Sequence, residues 1–215
     1  MLLDSQGGCA IIPGEEVSSL KENYQKELDA ITQRLTEKPR LLLQSCCGPC
    51  STYVLQYLTR YFDITLLYYN PNIQPREEYD LRLEHQRKVL QAMPEIHILE
   101  CDYDGETYDR AVSGLEGEPE GGARCSVCFH LRLEKTAQLA AEGNFDYFCT
   151  TLTVSPHKDA QRINAIGQAL AKQYGVAWLP SDFKKREGYK QSIQLSKELG
   201  LYRQEYCGCL YSKTT

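Results

Sequence analysis

Residues 41–50, Leu-Leu-Leu-Gln-Ser-Cys-Cys-Gly-Pro-Cys, carry the end of a strand, a turn and the start of a helix. The leucine run at 41–43 is typical of a short buried strand. Gly48 allows the backbone to turn sharply, and Pro49 suits the first turn of a helix. We therefore expect a helix over Ser51 to Tyr61, so that this stretch begins an α/β unit.

The same alternation of strand and helix continues along the chain. Further strands are predicted at residues 64–69, 96–101, 147–151 and 177–179. Helical patterns separate them, at about residues 75–91, 126–141, 155–174 and 187–200. This order implies crossover connections, and hence a mainly parallel five-stranded sheet with helices on both faces. Functional residues in such a fold collect beyond the carboxyl ends of the strands.

Apolar residues at helical spacing also precede the first strand. They are Leu20, Tyr24, Leu28, Ile31 and Leu35, and Lys38-Pro39 ends the pattern. The chain is therefore predicted to divide into an N-terminal helical extension, residues 1–39, and a single α/β domain, residues 40–215.

Neither export nor membrane insertion is expected. Met1 to Glu16 carries acidic residues and no basic segment followed by an apolar core, so it does not resemble a signal peptide. No apolar stretch approaches the roughly 20 residues that cross a bilayer. These features predict a cytoplasmic protein.

Composition and charge narrow the class of protein further. The chain has 215 residues, of which 42% are hydrophobic and 25% charged, which is typical of a globular protein. The net charge is −10 over residues 1–120 and +5 over residues 121–215. This distribution excludes a uniformly basic nucleic-acid binder but allows a local basic face in the C-terminal part.

Cysteine is the unusual component of the sequence. The chain has ten cysteines, and without an export signal they indicate metal or redox chemistry rather than a disulfide framework. Seven of them form three groups: Cys46, Cys47 and Cys50; Cys125 and Cys128; Cys207 and Cys209. One tetrahedral zinc ion does not require so many thiols. Two metal centres, or one cluster with a redox dithiol, would explain them.

Each group allows more than one function. Cys50 lies near a helix N-terminus, where a thiolate is stabilised. Cys46 and Cys47 are consecutive, so their side chains project in different directions and suit two corners of a cluster or two neighbouring metals. Cys125 and Cys128 could be a thioredoxin-like dithiol, half of a zinc site or half of an iron–sulfur site. Together with the first group they fit a four-thiolate centre.

The third group has the tight spacing Cys-Gly-Cys at residues 207–209. A disulfide between these cysteines would be strained and easily reduced. The pair is therefore either a redox-active dithiol or a source of ligands for a second metal.

No nucleotide-binding motif accompanies these thiols. The chain has neither the glycine-rich P-loop nor the Rossmann fingerprint, and it lacks the pyrophosphatase loop of ATP-using tRNA thiolases. Residues 184–190, Lys-Lys-Arg-Glu-Gly-Tyr-Lys, form a basic loop with one aromatic residue. Such a loop is either a solvated surface or a site that binds nucleic-acid phosphates.

Several motifs in the same order resemble the QueH-type epoxyqueuosine reductases. The resemblance runs from about Leu41 to Ser212. The motifs that carry it are residues 45–50, residues 69–79, residues 118–128, residues 150–158 and residues 206–209. It implies a Rossmann-like fold related to the adenine-nucleotide alpha-hydrolases, and a metal-binding reductase domain.

The resemblance also implies an activity and its partners. The epoxide of epoxyqueuosine would be reduced to the alkene of queuosine at the wobble position of tRNAs with GUN anticodons, those for Asp, Asn, His and Tyr. An external donor would supply electrons. Cys46, Cys47, Cys125 and Cys128 would bind a [4Fe–4S] cluster. Cys207 and Cys209 would form a redox-active pair or help bind an adjacent mononuclear iron.

At Cys50 the sequence departs from part of the family, because some members have an aspartate cluster ligand there. Cys50 is therefore either a ligand or a spectator. Asp104, His157 and Tyr189 are candidate proton donors. Candidate contacts to tRNA phosphates are Arg124, Lys158, Lys185 and Arg186.

Two other functions remain open at this point. One is a cluster-dependent tRNA sulfur transferase, which would require ATP. The other is a zinc-stabilised RNA-binding module without catalytic activity.

Overall fold

A parallel sheet of five strands forms the centre of the computed structural model, which describes residues 22–213. Its order is β3-β2-β1-β4-β5. The strands are β1 Arg40–Gln44, β2 Asp63–Tyr68, β3 His97–Glu100, β4 Tyr147–Thr150 and β5 Ala177–Trp178. The predicted five-stranded parallel sheet is therefore confirmed, with each strand within two residues of its expected position.

The helices connect these strands and cover both faces of the sheet. They are α1 Tyr24–Thr32, α2 Gly48–Leu58, α3 Arg76–Gln91, α4 Gly105–Ala111, α5 Ala123–Glu142, α6 Ala160–Tyr174 and α7 Gly188–Glu198, with 3-10 turns at Thr151–Val154 and Leu210–Ser212. Within residues 22–213, no helix combines the length and apolar character needed to cross a bilayer. The predictions for Leu20 and for Met1 to Glu16 lie outside the described residues.

Three helices begin away from their expected starts, and one helix is additional. Helices α2 and α5 each begin three residues early, at Gly48 and Ala123. Helix α6 begins at Ala160 rather than near Ser155, because the side chain of Asp159 accepts hydrogen bonds from the backbone of the first turn. Helix α4 was not predicted. Its N-cap is Asp104, whose carboxylate accepts a hydrogen bond from the backbone of Thr107.

The core has two layers, and the alternation of side chains along β1 separates them. Leu41 and Leu43 pack on one face, together with residues of α1, α2 and α3. Leu42 packs on the other face, with residues of α5 and α6. This period of two places an apolar layer on each side of the strand, as in doubly wound sheets. Leu28 of α1 is fully buried in the first layer.

The order in which strands are added to the sheet reverses at β1. The chain moves outward through β2 and β3, then returns to add β4 on the other side of β1. Such a switch point opens a crevice beyond the carboxyl ends of the two strands that flank it. Here those ends lead into Cys46 and Thr151.

Gly167 allows α6 to approach β5 closely. A Cβ atom at this position would lie 2.3 Å from the ring of Trp178, which is buried and donates a hydrogen bond of 2.9 Å to Asn164. We expect Gly167→Ala to lower the free energy of unfolding of the metal-free protein by about 1–3 kcal/mol in urea denaturation. Gly117→Ala is the control, since nothing lies within 4 Å of its Cβ. Equal midpoints for the two variants would contradict this packing.

Candidate metal centre

Three cysteine sulfurs meet where β1 turns into α2. The Sγ atoms of Cys46, Cys47 and Cys50 all lie within 4.8 Å of one another. Among residues 22–213, no other group of three Cys, His, Asp or Glu side chains is as close. Cys50, whose role the sequence left open, therefore lies with the other two thiols.

Buried polar side chains hold this turn in place. Ser45 Oγ donates to Gln86 Oε1 at 2.7 Å, and Gln86 Nε2 donates to Ser51 Oγ at 3.0 Å. Asn70, which follows β2, donates its amide to the carbonyl of Ser45 at 2.8 Å. The turn is thus fixed to α3 and to the end of the neighbouring strand.

Hydrogen bonds within the group distinguish the three thiols. Bonds from Cys47 and Cys50 hold the pKa of Cys46 well below its usual value. The bond to Cys46 raises the pKa of Cys47 to about 12, and the same interaction raises the pKa of Cys50. Thr151 Oγ1 also donates to Cys46 Sγ, at 3.6 Å. Cys46 is therefore the thiol of the three that ionises most readily.

A cavity of about 400 Å³ opens over this turn. It lies at the switch point between β1 and β4. Its walls include three thiols and a set of polar side chains: Cys46, Cys50, Cys207, Arg82, Glu120, Arg132, His157, Lys158, Tyr189, Arg203, Gln204 and Glu205. Thiols and titratable groups that converge in one cavity at a switch point are the features expected of an active site.

Cys125 and Cys128 lie in the first two turns of α5, and both are buried. The backbone of Gly121 donates to Cys125 Sγ at 3.2 Å. Burial raises the pKa of Cys128 to about 12, and the nearby Arg132 opposes this shift. Arg132 also lines the cavity over Cys46. These two thiols are not part of the group within 4.8 Å.

The C-terminal segment brings the last two cysteines to the same region. Arg82 donates to the carbonyls of Tyr206 and Cys207, and Gly208 accepts from the backbone of Gln74 at 2.9 Å. Gly208 has a φ of 131°, and a Cβ there would lie 3.0 Å from a carbon of Ile73. The segment is therefore held closely against the loop after β2.

Cys207 and Cys209 have different surroundings. Lys158 Nζ lies 2.9 Å from Cys207 Sγ and 2.8 Å from a carboxylate oxygen of Glu120. Burial opposes the charge of Lys158, but these two acidic groups raise its pKa overall. Cys209 is buried in a small cluster that includes Tyr108 and Cys128.

The structure brings three of the other predicted site residues to the cavity. His157, Lys158 and Tyr189 all line it. Lys158 is only 9% exposed and is already engaged by Glu120 and Cys207, so it does not offer a free charge to RNA.

Asp104 does not fit the predicted role of proton donor. It does not line the cavity, and its side chain caps α4. Hydrogen bonds from the side chain and the backbone of Thr107 lower the pKa of Asp104, which favours the carboxylate over the acid.

Arg124 does not fit the predicted contact with RNA either. Its side chain is buried, at 1% exposure, and Nη1 donates to the carbonyls of Leu115, Glu116 and Glu118. The guanidinium also stacks on Tyr211. Arg124 thus anchors the glycine-rich loop that precedes α5.

The basic loop after β5 is at the surface. Lys185 is exposed, and Arg186 forms an ion pair with Asp29 of α1. Tyr189, in the first turn of α7, lines the cavity, so the loop lies beside its opening.

Sequence reasoning missed two polar residues that contact or face the thiols. Gln204 donates its amide to Cys47 Sγ at 3.1 Å. Arg132 faces the cavity one helical turn after Cys128. Arg132 could have been found from the sequence, because it lies four residues after Cys128 on a predicted helix and therefore on the same helix face. No local sequence pattern indicates Gln204.

Comparison with known proteins identifies the family. The family model described as epoxyqueuosine reductase QueH matches residues 41–215. This chain belongs to the QueH family. The QueH protein of Streptococcus pyogenes serotype M1 is 43% identical over 210 residues, which cover 92% of this chain and 82% of that protein. The Staphylococcus epidermidis QueH protein is 41% identical over 207 residues, covering 92% and 87%.

Similarity extends to more distant proteins. The Thermotoga maritima QueH protein is 37% identical over 178 residues, covering 80% of this chain and 89% of that protein. Among solved structures, the Bordetella bronchiseptica enzyme WbmH in complex with NAD+ aligns with 66% of this chain and 55% of its own at 12% identity. Its TM-score is 0.34.

The donor atoms of this QueH chain suit a thiolate-bound metal. Three thiols are close enough to share a metal site, and iron–sulfur clusters and zinc are both held by cysteine thiolates. Gln204 and Thr151 donate hydrogen bonds to two of the sulfurs, as the partners of metal ligands commonly do. The residues present therefore fit a metal centre.

Gly48 is the position at which a small change would move the thiols. A Cβ atom there would lie 2.6 Å from the backbone carbonyl oxygen of His85, so α3 or the turn would have to shift. We expect Gly48→Ala to weaken binding of cobalt(II), a thiolate probe with visible charge-transfer bands, by about tenfold or more.

The matched control for this substitution is Gly167→Ala. It also adds one methyl group at a crowded glycine, but the crowding is between α6 and β5 and not at the cysteine turn. At a temperature where both variants are folded, it should bind cobalt(II) as the parent does. Parental affinity in folded Gly48→Ala would contradict the role of this contact.

Proposed function

We propose that this chain reduces the epoxide of epoxyqueuosine to the alkene of queuosine in tRNA. The observation that carries the proposal is a thiol-lined cavity in a chain that matches the QueH family over residues 41–215. The expected substrates are tRNAs with GUN anticodons, and an external donor supplies the electrons.

Two sets of cysteines, some in the cavity wall and some buried behind it, are proposed to hold the cofactor. Cys46, Cys47, Cys125 and Cys128 would bind a [4Fe–4S] cluster. Cys207 and Cys209 would act as a redox-active pair or bind an adjacent mononuclear iron, and Cys50 is a further thiolate within reach. Such a centre, when bound, supplies electrons one at a time, and an iron with an open position acts as a Lewis acid.

The reaction also requires protons. Removal of the epoxide oxygen breaks two C–O bonds and forms the alkene, with two electrons and two protons taken up and water released. His157 and Tyr189 line the cavity and are the side chains proposed to deliver protons to the departing oxygen. Glu120 and Lys158 close part of the same wall.

The basic loop beside the cavity would bind the RNA backbone. Lys185 is exposed and belongs to the part of the chain with net positive charge. Arg186 would add a second phosphate contact if it left its ion pair with Asp29. Phosphate contacts of this kind give affinity and orientation, while the cavity would recognise the modified base.

The direct test uses anaerobically reconstituted protein and tRNA that contains epoxyqueuosine, with mass analysis of the nucleosides. We expect conversion to queuosine with a chemical reductant and without ATP. Cys46→Ser and Cys47→Ser should abolish turnover because they remove cofactor ligands. Cys101→Ser is the control, since Cys101 does not line the cavity.

The outcomes separate the candidate functions. A sulfur-containing product that requires ATP would indicate the sulfur transferase. A colourless zinc protein that binds tRNA without changing it would indicate the binding module. Either result would overturn the proposed reaction.

The RNA contact is tested by charge reversal at an exposed position. Lys185→Glu should weaken tRNA binding and reduce the slope of log affinity against log salt by about 1, because one phosphate contact is lost. Lys172→Glu is the control. Lys172 lies in the last turn of α6, which leads into the amino end of β5, whereas Lys185 follows the carboxyl end of that strand. Filter binding at several salt concentrations measures both, and an unchanged slope for Lys185→Glu would remove this residue from the interface.

A further inference from the structure

Arg132 is a buried cation with an incomplete set of partners. Its side chain is 2% exposed, and its Nε donates to the carbonyl of Cys128 at 3.2 Å. Nη2 is also buried and has no hydrogen-bond partner. Burial of a charged group without a counter-ion is costly, so such a residue requires an explanation.

Arg82 shows how this protein satisfies a buried guanidinium elsewhere. Arg82 is equally buried, but it forms an ion pair with Glu78 at 2.7 Å and donates to two carbonyls of the C-terminal segment. Within residues 22–213, no carboxylate lies within 4.0 Å of the Arg132 guanidinium. Arg124 is also buried without a carboxylate partner, but its Nη1 donates to three carbonyls of one loop, whereas Arg132 makes a single such bond and lines the cavity. A counter-charge for Arg132 would therefore come from another kind of group in the cavity.

Thiols share the cavity with Arg132. The residue lines it together with Cys46, Cys50 and Cys207, while Glu120 and Glu205 in the same walls form no ion pair with the guanidinium. Burial opposes its charge, but negative charge on Cys128, Cys207 and Cys46 raises the pKa of Arg132 overall. Cysteine contributes negative charge when it is ionised, and cysteines that bind a metal are ionised.

We propose that Arg132 is a positioning residue that supplies the buried counter-charge for a thiolate-bound metal centre in this cavity and raises its reduction potential. The inference rests on the proposed function, because it requires a redox-active centre on these thiols. The centre takes up one electron from a reductant, and no bond to Arg132 forms or breaks. A fixed positive charge favours the more negative, reduced state.

The same arrangement predicts opposite effects on the two forms of the protein. Without metal, no carboxylate pairs with the buried guanidinium and its Nη2 has no partner, so its burial opposes folding. With metal bound, the thiolates offset its charge. Replacement of Arg132 by a neutral side chain should therefore leave the metal-free protein at least as stable, while it reduces the stabilisation gained on metal binding.

The experiment is an anaerobic redox titration with dithionite and mediators, followed by visible absorption and EPR, in the absence of tRNA. Arg132→Gln and Arg132→Met should shift the midpoint potential to more negative values. Arg132→Lys should stay near the parent because it keeps the charge. Lys135→Met, which removes one positive charge from the same helix outside the cavity, should leave the potential unchanged.

Thermal unfolding of the metal-free variants completes the test. An unchanged potential in fully loaded Arg132→Gln, or a lower melting temperature of metal-free Arg132→Met, would overturn the inference and indicate a structural role. Loss of loading in Arg132→Gln but not in Arg132→Lys would support it, and loss in both would overturn it. Failure of the parent to bind a redox-active centre would instead overturn the proposed function.

Discussion

The position of the turn after β1 is the constraint on which the rest of the site depends. Gly48 allows the turn to lie against the backbone of His85, where any side chain would collide. Ser45, Gln86 and Ser51 then fix it through buried hydrogen bonds. Because the turn is held on both sides, three thiols are presented together at the carboxyl edge of the sheet, in the crevice where parallel sheets place their ligands.

Two more segments complete the cavity, and each is held by a buried arginine. Arg124 anchors the loop that leads into the helix of Cys125 and Cys128. Arg82 anchors the C-terminal segment that brings Cys207 to Lys158. Arginine suits this task because its planar group can donate to several carbonyls at once. The segments that carry thiols far apart in sequence are therefore positioned by arginine side chains as well as by the cysteine residues themselves.

The sequence predicted the sheet well because buried strands have a strong local pattern, as in the leucine run of β1. It missed α4, which is short and polar, and Asp104, a candidate proton donor that also suited a solvated cap, caps this helix. The cysteine groups were recognisable from spacing. The burial of Arg124 and the approach of Gln204 to Cys47 were not, because both depend on tertiary contacts between distant segments. The division of the chain at residue 39 remains a prediction.

We propose that thiolates from separate parts of this chain hold redox-active iron in one cavity. X-ray absorption at the iron edge of anaerobically purified protein tests this proposal most directly. We expect an iron environment dominated by sulfur, with iron–iron scattering from a cluster, and loss of that signal in Cys46→Ser. Iron surrounded only by oxygen and nitrogen, or zinc in place of iron, would contradict it.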